Sequence, residues 1–186
     1  MLVILALVAA ACAGGRTGGV TPTATSLSLP GAATATGDPT AAAIQDLPEA
    51  VKAKRAAILE AAQARDQEAL AALAAENFSY SFGVPVEGGP AAYWRRAEES
   101  GEDPLGTLVT ILQLPSTQTG VGGETLYVWP FAYDRDISKL TPEEREQLLG
   151  FATEDELKSW EAFGGYVGYR AGITQDGVWI SFVAGD

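Results

Sequence analysis

Residues 164–186, GGYVGYRAGITQDGVWISFVAGD, constrain the fold more than any other stretch of the chain. Two runs rich in β-branched and aromatic residues meet at Gln175-Asp176-Gly177, the pattern of a β-hairpin with a tight turn. Alternation places Val167, Tyr169, Ala171 and Ile173 on one face of its first strand, and Tyr166 and Arg170 on the other. Gly164, Gly165, Gly168 and Gly172 leave that strand bare, which permits bending or close backbone packing. A lone hairpin is marginal in water, so the helices upstream must cover it. The chain has 186 residues, 47% of them apolar, enough for one core and a tail.

The covering elements are legible from caps and periodicity. Asp46-Leu-Pro-Glu49 predicts a helix start, with Asp46 as cap, and Leu47, Val51, Ile58 and Leu59 mark a buried stripe to about Ala64. Asp66 opens a second helix, QEALAALA, with Leu70 and Leu73 facing in. Asn77 to Phe82 alternates strictly, so Phe78, Tyr80 and Phe82 are expected on one face of a strand. Short helices are predicted from Pro90 to Gly101 and after Asp103-Pro104, the latter burying Leu105, Leu108, Val109 and Leu112 and ending at Pro115. Leu126 to Tyr133 reads as a strand covered on both faces, with Pro130 demanding an edge position or a bulge. Capping boxes at Thr141-Pro-Glu-Glu144 and Thr153-Glu-Asp-Glu156 predict helices near 142–149 and 154–162. About four strands result. The expected class is α+β: several short helices packed on a small curved, mostly antiparallel sheet, as a single domain over 44–186.

The stretch ARDQEALAALAAENFSYSF, following a long helix, resembles the opening of NTF2-like and SnoaL-like domains. It covers about forty residues of common types. The resemblance implies two helices leading into the first strand of a strongly curved sheet that wraps a conical pocket.

The N-terminus points to an address. Met1 to Ala11, MLVILALVAAA, is an unbroken apolar run too short to span a bilayer, which takes ~20 residues. It suits the apolar region of a signal peptide, 1–11. The step Ala9-Ala10-Ala11-Cys12 resembles the bacterial lipobox, which implies lipidation of Cys12, although Ala9 stands where Leu is commoner. The usual positive residues before the apolar run are missing, so the translation start is expected a few residues upstream. Residues 13–43 are almost wholly Ala, Gly, Thr, Ser and Pro and cannot bury enough surface to offset their ordering. Residues 12–43 therefore read as a lipidated Cys followed by a disordered tether of roughly 30 Å reach. Cleavage after Ala11-Cys12-Ala13 would instead release a soluble secreted protein.

Composition removes several chemistries. The formal charge of −12, from 24 acidic and 12 basic residues, repels nucleic acid phosphates and anionic headgroups. With no His and a single Cys, neither a His-based triad, a His-ligated metal site nor an intrachain disulfide can form. No motif asks for a cofactor or a metal. Asp134-Arg-Asp136-Ile-Ser138 has oxygens at alternate positions, but Lys139 and Arg145 stand where a calcium loop needs Gly and Glu. The acidic clusters at 143–146 and 154–156 could supply paired catalytic carboxylates, but first-turn placement explains them better. GGRTGG, GVGG and GGYVG lack the Lys-Ser/Thr of a phosphate loop and read as linker, loop and bent strand. Trp94-Arg95-Arg96 could form a small anion or aromatic-ligand patch, but reads better as a helix with Trp buried and the arginines paired to Glu98 and Glu99.

One constellation remains, the aromatics Tyr80, Tyr127, Trp129, Phe131, Tyr166 and Trp179, all expected on strands, with Arg170 beside Tyr166. On a curved sheet, Tyr80, Trp129, Tyr166 and Arg170 are the candidate ligand-binding residues; the competing expectation is a filled aromatic core. The functional expectation is a lipid-anchored extracytoplasmic domain, attached to the membrane through Cys12, that binds a small molecule or an envelope protein without catalysis. Alternatives are an NTF2-like enzyme using Tyr and carboxylate side chains, a secreted soluble protein, and a structural envelope protein.

Overall fold

The computed structural model describes residues 47–83 and 85–185. The leader, Cys12, the tether and the expected cap Asp46 lie outside the described residues. Helix α1 (Glu49–Gln63) follows Pro48, which offers no side-chain cap, and buries Val51, Ile58, Ala61 and Ala62 along one stripe. It closes through Arg65 at φ 57, whose N–H donates to the Ala62 carbonyl. Asp66 then caps α2 (Gln67–Ala72) by accepting from the Ala69 N–H at 2.9 Å. Leu70 is fully buried, and Leu73 packs half-buried against the same core.

Strand β1 (Ala74–Ser79) starts earlier than Asn77 and stops before Tyr80. Its register is set by β5, where Ala74 pairs with Trp179. Of the three residues expected on one face, only Phe78 reaches the core, 4.6 Å from the Trp179 ring and 6.2 Å from Trp94. Tyr80 sits beyond the strand beside Tyr93, and Phe82 is exposed. Helices α3 (Gly89–Glu99) and α4 (Pro104–Gln113) follow, the latter capped by Asp103, which accepts from the Gly106 N–H at 2.9 Å. Leu105, Leu108, Ile111 and Leu112 of α4 are fully buried, each contributing about 1.5–3 kcal/mol relative to exposure.

Between α4 and the apolar run the structure adds a strand. β2 (Thr117–Val121) pairs antiparallel with β3 (Glu124–Trp129) across Gly122-Gly123, whose φ values of 61 and 88 suit a two-residue hairpin loop. β3 lies inside the sheet, between β2 and β4, rather than at an edge. Pro130 is accommodated because the strand ends at Trp129 and turns into a 3-10 segment, Phe131–Asp134. A second short 3-10 turn (Ile137–Lys139) precedes α5 (Pro142–Leu149) and α6 (Glu154–Phe163). Both of these helices carry complete capping boxes, Thr141 with Glu144 and Thr153 with Glu156.

The closing hairpin is β4 (Arg170–Thr174) and β5 (Trp179–Val183), joined through Gly177 at φ 81. Gly177 is required there twice over: the φ is positive, and a Cβ would stand 2.6 Å from the Ala50 carbonyl oxygen of α1. The strand begins at Arg170, so Tyr166, Val167 and Tyr169 fall in the segment leading to it and do not share a strand face. The sheet order is β1-β5-β4-β3-β2, with β1 parallel to β5 and the other neighbours antiparallel. The fold is α+β, with six α-helices and an open, mostly antiparallel five-stranded sheet among the described residues.

Two cores result. Tyr127, Trp129, Ala171, Ile173, Trp179 and Phe182 of the sheet pack with α1 to α4. A smaller cluster joins Phe131, Ala132 and Ile137 to Leu148 of α5, Leu157 and Trp160 of α6, and Tyr166. Phe151, between α5 and α6, packs against both. No helix among the described residues is long and apolar enough to cross a membrane.

Candidate functional site

The four sequence-predicted binding residues do not converge. Trp129 is 1% exposed and faces the helices as part of the larger core. Tyr80 is half-buried, with its hydroxyl accepting the Val86 N–H at 3.1 Å and its ring 5.5 Å from that of Tyr93. Tyr166 is buried in the smaller core, edge-on to Trp160 at 4.7 Å. Arg170 donates to the Gly185 carbonyl, with its guanidinium 5.4 Å from the Phe82 ring and 5.7 Å from that of Tyr133. It ties Gly185 to the start of β4, and its charge lies near enough to act on the Tyr166 phenol. Most of the aromatic constellation is core filling.

Other polar candidates are also committed to the fold. Asp134 accepts from the Thr117 hydroxyl at 2.7 Å. Asp136 accepts from the Ser138 N–H and hydroxyl and pairs with Lys139 at 2.6 Å. Lys139, with help from Ser138, draws the Asp136 carboxyl down to about 2. Trp94 is buried as expected, but Arg95 pairs with Glu68 at 2.8 Å, while Glu98 pairs with Arg65. The reason is that α2 lies alongside α3, offering a carboxylate across the helix interface. Among the described residues, no three His, Cys, Asp or Glu side chains gather to hold a metal ion.

The structure instead opens a cleft of about 420 Å³ at the seam between the two cores. Its walls come from Thr107 of α4, Phe151, Trp160 of α6 and the 167–169 segment, and its rim carries Glu102, Asp103 and Glu156. The local chain path explains the wall. Gly164 ends α6 at φ 92, and the N–H groups of Gly164 and Gly165 both donate to the Trp160 carbonyl. The chain therefore reverses and lays Tyr166 against Trp160. The Tyr166 hydroxyl donates to the Tyr169 carbonyl at 2.5 Å, and the Gly185 N–H donates to the Val167 carbonyl at 2.9 Å, fixing the arch. Gly168 sits at its tightest point: a Cβ there would be 2.6 Å from the Tyr166 hydroxyl oxygen and 2.9 Å from the Trp160 ring.

The electrostatics of the cleft are one-sided. The Tyr169 hydroxyl donates to Glu102 at 3.3 Å. Burial, and then the Glu102 carboxylate, raise the Tyr169 phenol well above its ordinary range. Burial raises Tyr166 likewise. Asp103 is gripped by both terminal nitrogens of Arg65, at 2.8 and 3.1 Å, and its carboxyl is lowered chiefly by that hydrogen bonding. Glu156 accepts the Thr153 N–H at 2.7 Å as part of its capping box. Glu102 has no cation within ion-pairing distance, and no Lys or Arg lines the cleft among the described residues. The sequence reading missed this site because its residues come from four separate segments. The one sequence signal was the bareness of the glycine-rich stretch around Gly168, which permits close packing.

Comparison with family models, with curated proteins and with solved structures finds no match to this chain.

Proposed function

We propose that the chain is a ligand-binding domain held at the outer side of a bacterial membrane by a lipid on Cys12, with no catalytic step of its own. The observation that carries the binding half is the cleft between α4, α6 and the 167–169 segment, whose Phe151, Trp160 and Tyr169 walls are set by Gly168 and the Tyr166 hydrogen bond. A cleft of this size, with aromatic and acidic groups both facing it, falls within the volume range of small-molecule sites. The tether half rests on the order of apolar leader, Cys12 and low-complexity spacer. A buried carboxylate beside Tyr80 or Tyr166 would favour an enzyme on an NTF2-like cone. Among the described residues no charged side chain is buried, and the Glu102 partner of Tyr169 stands exposed.

The binding half is tested by mapping a mixed-charge set of small soluble fragments onto the full chain, labelled with nitrogen-15 at its four tryptophans. Fragments that bind are expected to move the Trp160 indole resonance and leave those of Trp94 and Trp179, fully buried in the larger core, in place. Hits that consistently bypass Trp160 would contradict the assignment of the cleft.

A further inference from the structure

The geometry points to an organic cation, an alkylammonium of small to moderate size, as the ligand of this cleft. The inference rests on the reading of the cleft as a binding site and adds the chemical class that fits it. Three observations converge. First, Phe151, Trp160 and Tyr169 supply aromatic surface, which attracts a cation through the ring quadrupole where carboxylates alone would hold only a hydrated ion. Second, the rim bears Glu102, Asp103 and Glu156, and Arg65 neutralises only Asp103. A negative ligand would meet two carboxylates that no cation neutralises, whereas a positive one would gain from both.

Third, the carboxylates are placed for a bulky cation rather than a bare metal. Among the described residues no three potential ligands converge within reach of one ion. Glu102 is held to Tyr169, while Glu156 is held on α6 by Thr153, so each faces the cleft from a different wall. A trimethylammonium group, with its charge spread over methyl surfaces, loses less on leaving water than a compact ammonium or a metal ion and can satisfy an aromatic wall and a carboxylate together. The cleft's volume of about 420 Å³ accommodates such a group with an attached chain.

The probe is choline, compared with 3,3-dimethyl-1-butanol, which has the same shape without the charge. Both are titrated into the full chain while the Trp160 indole and the backbone signals of 167–169 are followed. Choline is expected to give saturable shifts there, with the neutral isostere binding roughly tenfold more weakly. Glu102→Gln with Glu156→Gln is expected to weaken choline severalfold while leaving the neutral isostere unchanged. Gln at 102 still accepts from Tyr169, and Gln at 156 still completes a capping box, so the fold is retained. Equal binding of both probes at Trp160 would overturn the cation inference while leaving the cleft a binding site. Choline shifts scattered over the surface, or unaltered by the double substitution, would show that only the overall negative charge attracts it, and would equally overturn the inference. No shift at Trp160 from either probe, while fragments of other chemistry do bind there, would do the same.

Discussion

Tyr166 and Tyr169 stand three residues apart and are joined by a hydrogen bond, yet they do different work. Tyr166 fills the smaller core and uses its hydroxyl to fix the arch, whereas Tyr169 presents a half-buried ring and a donor to Glu102. Both phenols are raised, first by burial, so the folded state keeps protons that the unfolded chain releases near pH 10. The sign follows: their contribution is fully present below about pH 10 and is lost as pH rises beyond it. Urea unfolding at pH 8, 10 and 11 is therefore expected to show a falling midpoint, and the fall should be shallower for Tyr166→Phe and Tyr169→Phe. An equal alkaline loss in both variants would mean that these hydroxyls ionise freely in the fold. Neither residue's role could be read from alternation. The reading placed them on opposite faces of one strand, but hydrogen bonding of the ladder begins only at Arg170.

Among the elements, those written in local chemistry were legible and those written in pairing were not. The capping boxes at Thr141 and Thr153 specified α5 and α6 because both partners lie within four residues. The hairpin turn was equally plain from Asp176-Gly177, and the structure adds a second reason for Gly177, its close approach to Ala50. β2 escaped because TQTGV is a short edge strand with mostly polar side chains, and no buried face imposes an apolar alternation on it. β1 was shifted because its register is dictated by a parallel partner a hundred residues away. The importance of the caps can be measured. Thr153→Ala removes the acceptor for the Glu156 N–H at the start of the helix that carries Trp160. It is expected to cost about 1 kcal/mol in equilibrium unfolding. A change below a few tenths of a kcal/mol would show that tertiary packing alone holds this helix end.

At the scale of the whole molecule, the cleft exists because two cores meet without merging. Phe151 touches both, and the 167–169 segment is pinned between α6 and the chain end. The aromatic residues that were prominent in the sequence mostly went into the cores, as Trp129 and Trp179 show with exposures of 1% and 0%. The cleft took less conspicuous ones, Glu102 and Thr107 among them, that only tertiary packing brings together. The N-terminal order of apolar run, Cys12 and spacer gives this domain an anchor in the proposed account. The most direct test of that account, a binding domain held at a membrane, is radiolabelled palmitate incorporation in a bacterial host. The chain is expressed from its own leader, wild type beside Cys12→Ser. The account predicts label in the wild-type chain and its loss in the variant. Unlabelled wild-type protein, soluble in the medium, would contradict the anchor and leave a secreted domain.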